Sequence, residues 1–235
     1  MQVLKKNVNN YNVSTSLPTA TPWIAEPKNE QWWLDRHQSY KQNTAINGGN
    51  ISVIFYGDSI TEGWGGAGKA IYDSKYAPLG TVNYGVSADR TEHVLYRIAD
   101  GEVENLNPKF VVLKIGTNNV GQGTGDTNDE IVRGIKAVVD LLLERLPNSK
   151  ILLLGVLPRN DATQFTRVAD INIKISKFHD GNRVHFLDMF DQFATGWGVV
   201  DASLFNGDQL HLVTPGYQRW ADTMDHLFNE LYRGS

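Results

Sequence analysis

Apolar and polar positions alternate along the chain in two distinct rhythms. Five short runs, Ile51–Tyr56, Thr81–Tyr84, Phe110–Ile115, Ile151–Leu157 and Val184–Leu187, are continuously or largely apolar and end at glycine, proline or a polar turn. Runs of that length read as strands, and such continuity suits strands buried on both faces. Between them the apolar residues recur at helical spacing. Val94, Leu95 and Ile98 mark a helix over Thr91–Ala99, Ile131 to Leu146 a long one opened by the capping box Thr127-x-x-Glu130, and Phe165 to Phe178 a third, stopped at Gly181. Thr214-Pro215 opens the last helix as N-cap and first residue, with Tyr217, Trp220, Met224 and Leu231 on its apolar face. A surface helix over Asn29–Lys41 precedes the first strand. Five strands alternating with helices demand parallel pairing through right-handed crossovers, hence an α/β fold, a three-layer αβα sandwich on a five-stranded parallel sheet. Residues 1–30, polar and dotted with Pro18, Pro22 and Pro27, read as an extended arm ahead of a single domain over residues 31–235. Trp23, Ile24, Trp32 and Trp33 are expected to pack the later part of this segment on the body.

Composition narrows the class. At 235 residues the chain suits one α/β domain, and a net charge of −4 creates no field for nucleic acid or anionic membranes. Without cysteine there is neither a thiolate metal site nor a thiol nucleophile. MQVLKKNVNN lacks a following apolar stretch of the signal-peptide kind, and no window approaches the ~18 apolar residues of a membrane span. The expectation is therefore a cytoplasmic protein.

The chemistry gathers where the first strand ends. In ISVIFYGDSITEGWG, Ser59 follows the strand-breaking Gly57-Asp58, at the carboxyl end of a parallel strand, where open α/β sheets place their crevices. A serine there commonly caps a helix; as a nucleophile it needs a base with its own orienting carboxylate. Asp208-x-x-His211 supplies both, with two residues between them and within one turn. The loop Gly63–Ala70 contains the phosphate-loop spacing G-x-x-x-x-G-K. Its Ala70 offers no hydroxyl for Mg²⁺, however, and the loop starts beyond the strand end, so it reads as a rim beside Ser59. His93 reads as a histidine hydrogen-bonded to a neighbouring loop. The histidines are scattered without metal-ligand spacing, so no metal or cofactor is expected.

Four blocks occur in order: G-D-S at Gly57–Ser59, N-Y-G at Asn83–Gly85, G-T-N-N at Gly116–Asn119, and D-x-x-H at Asp208–His211. In these the sequence resembles the GDSL, or SGNH, hydrolase family. The run TEHVLYRIADGEVENLNPKFVVLKIGTNNVG resembles one branch, the catalytic subunits of intracellular platelet-activating-factor acetylhydrolase and their bacterial relatives. The resemblance implies a flavodoxin-like strand order 2-1-3-4-5. It also implies a serine esterase with Ser59 as nucleophile, His211 as base and Asp208 as its orienter, acting on a short-chain, acetyl ester. The oxyanion donors would be the N–H groups of Ser59 and Gly85 and the Asn118 side chain. Ile60, Thr117 and Leu210 match positions that wall a small acyl pocket in the branch. The branch tends to have two glycines where this chain has Ser87-Ala88. No G-x-S-x-G elbow is present, which sets aside the α/β-hydrolase fold. The partner implied is a small-molecule ester, and a homodimer stays open. Alternatives are a carbohydrate rather than a phospholipid acetyl esterase, and a non-catalytic relative kept as a docking surface.

Overall fold

The computed structural model describes residues 21–234, so the expected arm lies outside the described residues over 1–20. The five apolar runs form strands β1 (Val53–Gly57), β2 (Thr81–Gly85), β3 (Phe110–Lys114), β4 (Lys150–Leu154) and β5 (Val184–Leu187). They make one parallel sheet in the order β2-β1-β3-β4-β5. Among the described residues eight α-helices accompany it: α1 (Gln31–Asn47), α2 (Ser59–Glu62), α3 (Lys69–Lys75), α4 (Thr91–Arg97), α5 (Thr117–Gly121), α6 (Asn128–Arg145), α7 (Ala162–Ile175) and α8 (Thr214–Arg233).

Period-two alternation divides the sheet between two cores. Ile54, Tyr56, Val111, Leu113, Ile151 and Leu153 pack with the apolar faces of α4, α6 and α7. Val53, Phe55, Phe110, Val112, Leu152 and Leu154 face the other way, with Trp64, Tyr76 and the apolar face of α8. The three-layer αβα architecture follows from that division. The capping box forms at α6, with Thr127 accepting from the Glu130 N–H and the Glu130 carboxylate accepting from Thr127.

Several local expectations change. Helix α1 runs to Asn47, beyond the expected Lys41, because Thr44 is buried and hydrogen-bonded to Tyr84 Oη and the Glu102 carbonyl, so polar residues carry the helix on. Helix α7 ends at Ile175 and passes into a 3₁₀ turn; Gly181, at φ +69°, serves the turn before β5 instead. Val213 caps α8, one residue before the expected Thr214. Unforeseen was the small antiparallel pair β6 (Ala194–Gly196) and β7 (Val199–Val200), too short to carry a pattern. Of the aromatic anchors, Trp33 is fully buried and Trp23 lies under Arg133, 3.9 Å from the ring centre. Ile24 and Trp32 remain exposed instead.

Candidate active site

The carboxyl ends of β1, β2 and β3 lie side by side, with Gly57 in register with both Gly85 and Lys114, so the loops that follow them share one edge of the sheet. Asp58 caps α2 by accepting the Ile60 N–H at 2.9 Å, which sets Ser59 as the first helical residue. From the other end of the chain the Asp208–His211 turn comes to meet it. Ser59 Oγ lies 2.8 Å from His211 Nε2, and His211 Nδ1 lies 2.6 Å from Asp208 Oδ2. The second Asp208 oxygen accepts the N–H groups of Leu210 and His211 at 2.8 and 2.9 Å, while Gln209 at φ +54° completes the tight turn. Burial opposes ionisation of Asp208, but the imidazole and these two N–H groups outweigh it and hold the carboxyl down at about 2. An ionised carboxylate only accepts, so Nδ1 carries the ring proton and Nε2 presents its lone pair to the Ser59 hydroxyl. Such an arrangement can withdraw the serine proton as Oγ attacks an electrophile.

Asn118 enters from α5, whose N-cap Gly116 adopts φ +121°, a conformation rarely open to other residues. The Asn118 amide spends one N–H on the Asp89 carbonyl at 2.8 Å, which leaves the other as a donor. Gly85 is a correction. Its N–H is held by Asn83 Oδ1 at 2.9 Å, and a Cβ there would stand 2.2 Å from the Glu62 nitrogen. The glycine is needed so that β2 can pass against α2, and its N–H does not face a ligand. The next segment offers a substitute: Ala88 takes φ +59°, where glycine is the easy residue, and its N–H has no partner among the described residues.

Behind these groups lies a buried ionic frame invisible in the hydrophobic pattern. Arg97, fully buried on α4, donates to Asp89 at 2.8 Å, to Glu102 at 2.6 Å and to the Tyr84 carbonyl at 3.1 Å. Trp33 Nε1 donates to the other Asp89 oxygen at 2.7 Å. Burial pushes the Asp89 carboxyl up to about 7, against the pull of Arg97 and Trp33. Asp89 thereby links the Ala88 loop to Asn118. Lys114, also fully buried, stands 3.3 Å from the Asp58 carboxylate, and burial lowers its ammonium below the ordinary lysine value. Asn119 is likewise structural, accepting the Thr91 N–H and donating to Glu92 and Asp126.

An open cleft of about 430 Å³ borders Ser59 and His211, together with Arg36, Glu62 and Ser87. Sequence reasoning missed Arg36 and Glu62, and noted Ser87 only as a departure from the branch's paired glycines. Glu62 could have been found, since it lies three residues past Ser59 and shares its helix face; nothing in the sequence pointed to Arg36. The acyl-pocket candidates do not line this cleft. Ile60 is buried with Trp64 in the core below, the Thr117 hydroxyl is held by Arg159 at 2.9 Å, and Leu210 leans on the same core. Gly63, Gly65 and Gly66 do form its rim. The phosphate-loop spacing yields no cradle: Gly68 abuts Trp64 and Tyr217, and Lys69 pairs with Asp73 at the exposed surface. His93 accepts the Arg90 N–H at 3.0 Å, and burial followed by Lys28 and two arginines lowers it to about 3, so it stays neutral. No group of three or more His, Asp or Glu residues among the described residues is arranged to hold a metal ion, and no described helix is long and apolar enough to cross a membrane.

Comparison with known proteins shows the family and the fold. The model of the GDSL-like lipase/acylhydrolase family matches residues 55–219. Platelet-activating factor acetylhydrolase IB subunit alpha2 of Rattus norvegicus is 32% identical over 222 residues, covering 92% of each chain. Among solved structures, a GDSL-like lipase from Bacteroides thetaiotaomicron superposes with a TM-score of 0.69 at 20% identity, covering 83% of this chain and 98% of that one. A catalytic mutant of an acetylxylan esterase from Geobacillus stearothermophilus gives 0.59 at 16% identity, covering 77% and 94%. The structural likenesses speak to the fold, whereas the family match spans most of the domain and all four blocks, leaving out only Val53 and Ile54 of strand β1. The chain belongs to the GDSL-like lipase/acylhydrolase family.

Proposed function

We propose that the protein is a metal-independent serine esterase that removes short acyl groups, acetyl above all, from an alcohol. The observation that carries this reading is the unbroken hydrogen-bonded chain from Ser59 Oγ through His211 to Asp208. In the first half-reaction Ser59 Oγ bonds to the carbonyl carbon while His211 Nε2 takes its proton. The tetrahedral intermediate collapses, the bond to the alcohol oxygen breaks, and the imidazolium returns the proton to that oxygen. Water then repeats the sequence on the acyl-serine. The developing oxyanion is met by the Ser59 N–H, the free N–H of Asn118 and, in place of Gly85, the Ala88 N–H. An acetyl group is the acyl group that needs least room beside the buried Asn118. It also suits the relatives named as acetylhydrolases.

The acyl series on p-nitrophenyl esters tests the reading. kcat/KM is expected to fall from acetyl to butyryl to octanoyl, since a methylene that fits adds about 0.8 kcal/mol of binding and one that clashes costs more. A preference for octanoyl would overturn the acetyl assignment, and no turnover of any ester by a folded chain would overturn the esterase.

Two further outcomes follow. Asn118→Ala is expected to lower kcat by about 10²–10³, the size of one oxyanion donor, with KM little moved; an unchanged kcat would reduce Asn118 to a brace for Asp89. In the pH profile, log kcat/KM should rise along a single limb as the imidazole loses its proton. Because the folded Asp208 carboxyl is held below its ordinary value, it stays ionised throughout that range. A second ionisation on the acid limb above about pH 4 would contradict the pairing.

A further inference from the structure

We propose that Arg36 and Glu62 form an alcohol-side subsite selecting a polar, hydroxyl-bearing alcohol, as in an O-acetylated sugar, over a long alkyl alcohol. The proposal rests on the esterase reading above. The leaving oxygen must receive its proton from His211 Nε2, so the alcohol stands on the open side of the imidazole. That side is the cleft shared with Arg36, Glu62 and Ser87.

Its lining is polar or glycine throughout, with no apolar side chain. An alkyl chain lying there would bury little against apolar atoms and would cover charged groups at a cost. Charged groups of both signs are present instead. Arg36 Nη1 reaches from α1 to within 2.6 Å of Glu62 Oε1, with the two side chains 43% and 28% exposed. An ion pair so exposed contributes little by its own closure and opens easily. The guanidinium then donates and the carboxylate accepts, which matches neighbouring hydroxyls that each do both. The opposite rim leaves room. Nothing lies within 4 Å of where a Gly65 Cβ would stand, and only the Gly63 carbonyl, at 3.6 Å, is near that of Gly66. One turn before Arg36, Trp32 is 49% exposed. Its ring lies 5.7 Å from Lys28 Nζ, which is bonded at 2.9 Å to the Ala88 carbonyl, next to Ser87. Through Lys28 the exposed indole is thus tied to the loop that carries Ser87.

The test compares kcat/KM of the full chain on an O-acetylated methyl xyloside, hexadecyl acetate in mixed micelles and an alkyl-acetyl-glycerophosphocholine, with p-nitrophenyl acetate as reference. The sugar ester is expected to exceed both long-chain esters by about tenfold or more. Arg36→Ala and Glu62→Gln should each lower the ratio of sugar ester to p-nitrophenyl acetate by about tenfold, mainly through KM; that is the loss of one charge-assisted hydrogen bond. Arg36→Lys should recover part of it. A preference for either long-chain ester, or a ratio unmoved in both variants, would overturn the subsite. Failure to turn over p-nitrophenyl acetate at all would instead remove the esterase reading beneath it.

Discussion

Replacing Ser59 by alanine is expected to lower kcat/KM on p-nitrophenyl acetate by about 10⁴-fold or more, while far-UV circular dichroism stays unchanged and Tm moves by a few degrees at most. The two halves of this expectation have separate origins. Activity collapses because Oγ is, among the described residues, the only atom hydrogen-bonded to His211 Nε2, so its removal leaves the imidazole without a group to activate. Stability barely changes because α2 is capped by Asp58 and anchored by the bond from Tyr217 Oη to the Ile60 carbonyl at 2.8 Å, neither of which involves the Ser59 side chain. One partly buried neutral hydrogen bond is worth about 1 kcal/mol. A variant retaining a tenth of the rate would move the nucleophile elsewhere.

The largest effect on stability is expected from Arg97→Met. The substitution keeps much of the side-chain volume but leaves Asp89 and Glu102 buried without their cation. Removing one partner from such a cluster costs about 3–5 kcal/mol, read as a lower urea midpoint at unchanged m-value. The pH dependence gives a second signature. Without Arg97 the Asp89 carboxyl, already raised by burial, loses the cation that pulls it down and titrates further above its unfolded value, so the folded state binds more protons. The deficit should therefore shrink as pH falls from about 8 towards 5 and grow in the opposite direction. Activity should drop as well, because Asp89 carries the carbonyl that holds Asn118. A loss below about 1 kcal/mol, flat with pH, would mean that the cluster contributes little.

Arg97 also illustrates where the sequence stops being informative. Strands β1, β3 and β4 were legible because they are buried on both faces, and continuous apolar runs have few other uses. A charged residue inside a helix or at a strand end ordinarily reads as solvent-facing, so Arg97 and Lys114 gave no sign of lying at the centre of the frame. Ser59, Asp208 and His211 could be singled out because the proposed chemistry demands three particular side chains, and the fold brings those three within hydrogen-bond reach. The oxyanion and pocket residues were less so. Gly85 was taken over from the resemblance, but what its missing side chain lets approach is the backbone of Glu62. Ala88 was noticed only as a departure from the branch's paired glycines, because left-handed backbone at a non-glycine leaves no mark in composition. Ile60 sits one residue from the nucleophile, yet a helical turn directs its side chain into the core with Trp64. Adjacency along the chain did not translate into adjacency in the cleft.

The most direct measurement is labelling with a fluorophosphonate followed by proteolysis and peptide mapping, because it reports the serine mechanism and the position of the nucleophile together. The expected result is one phosphonyl group per chain, on the peptide containing Ser59, with loss of esterase activity in proportion to labelling. Labelling should be absent in Ser59→Ala and strongly slowed in His211→Ala, where the base is missing. A modified residue other than Ser59, or full inactivation with no label on any serine, would contradict the proposed mechanism.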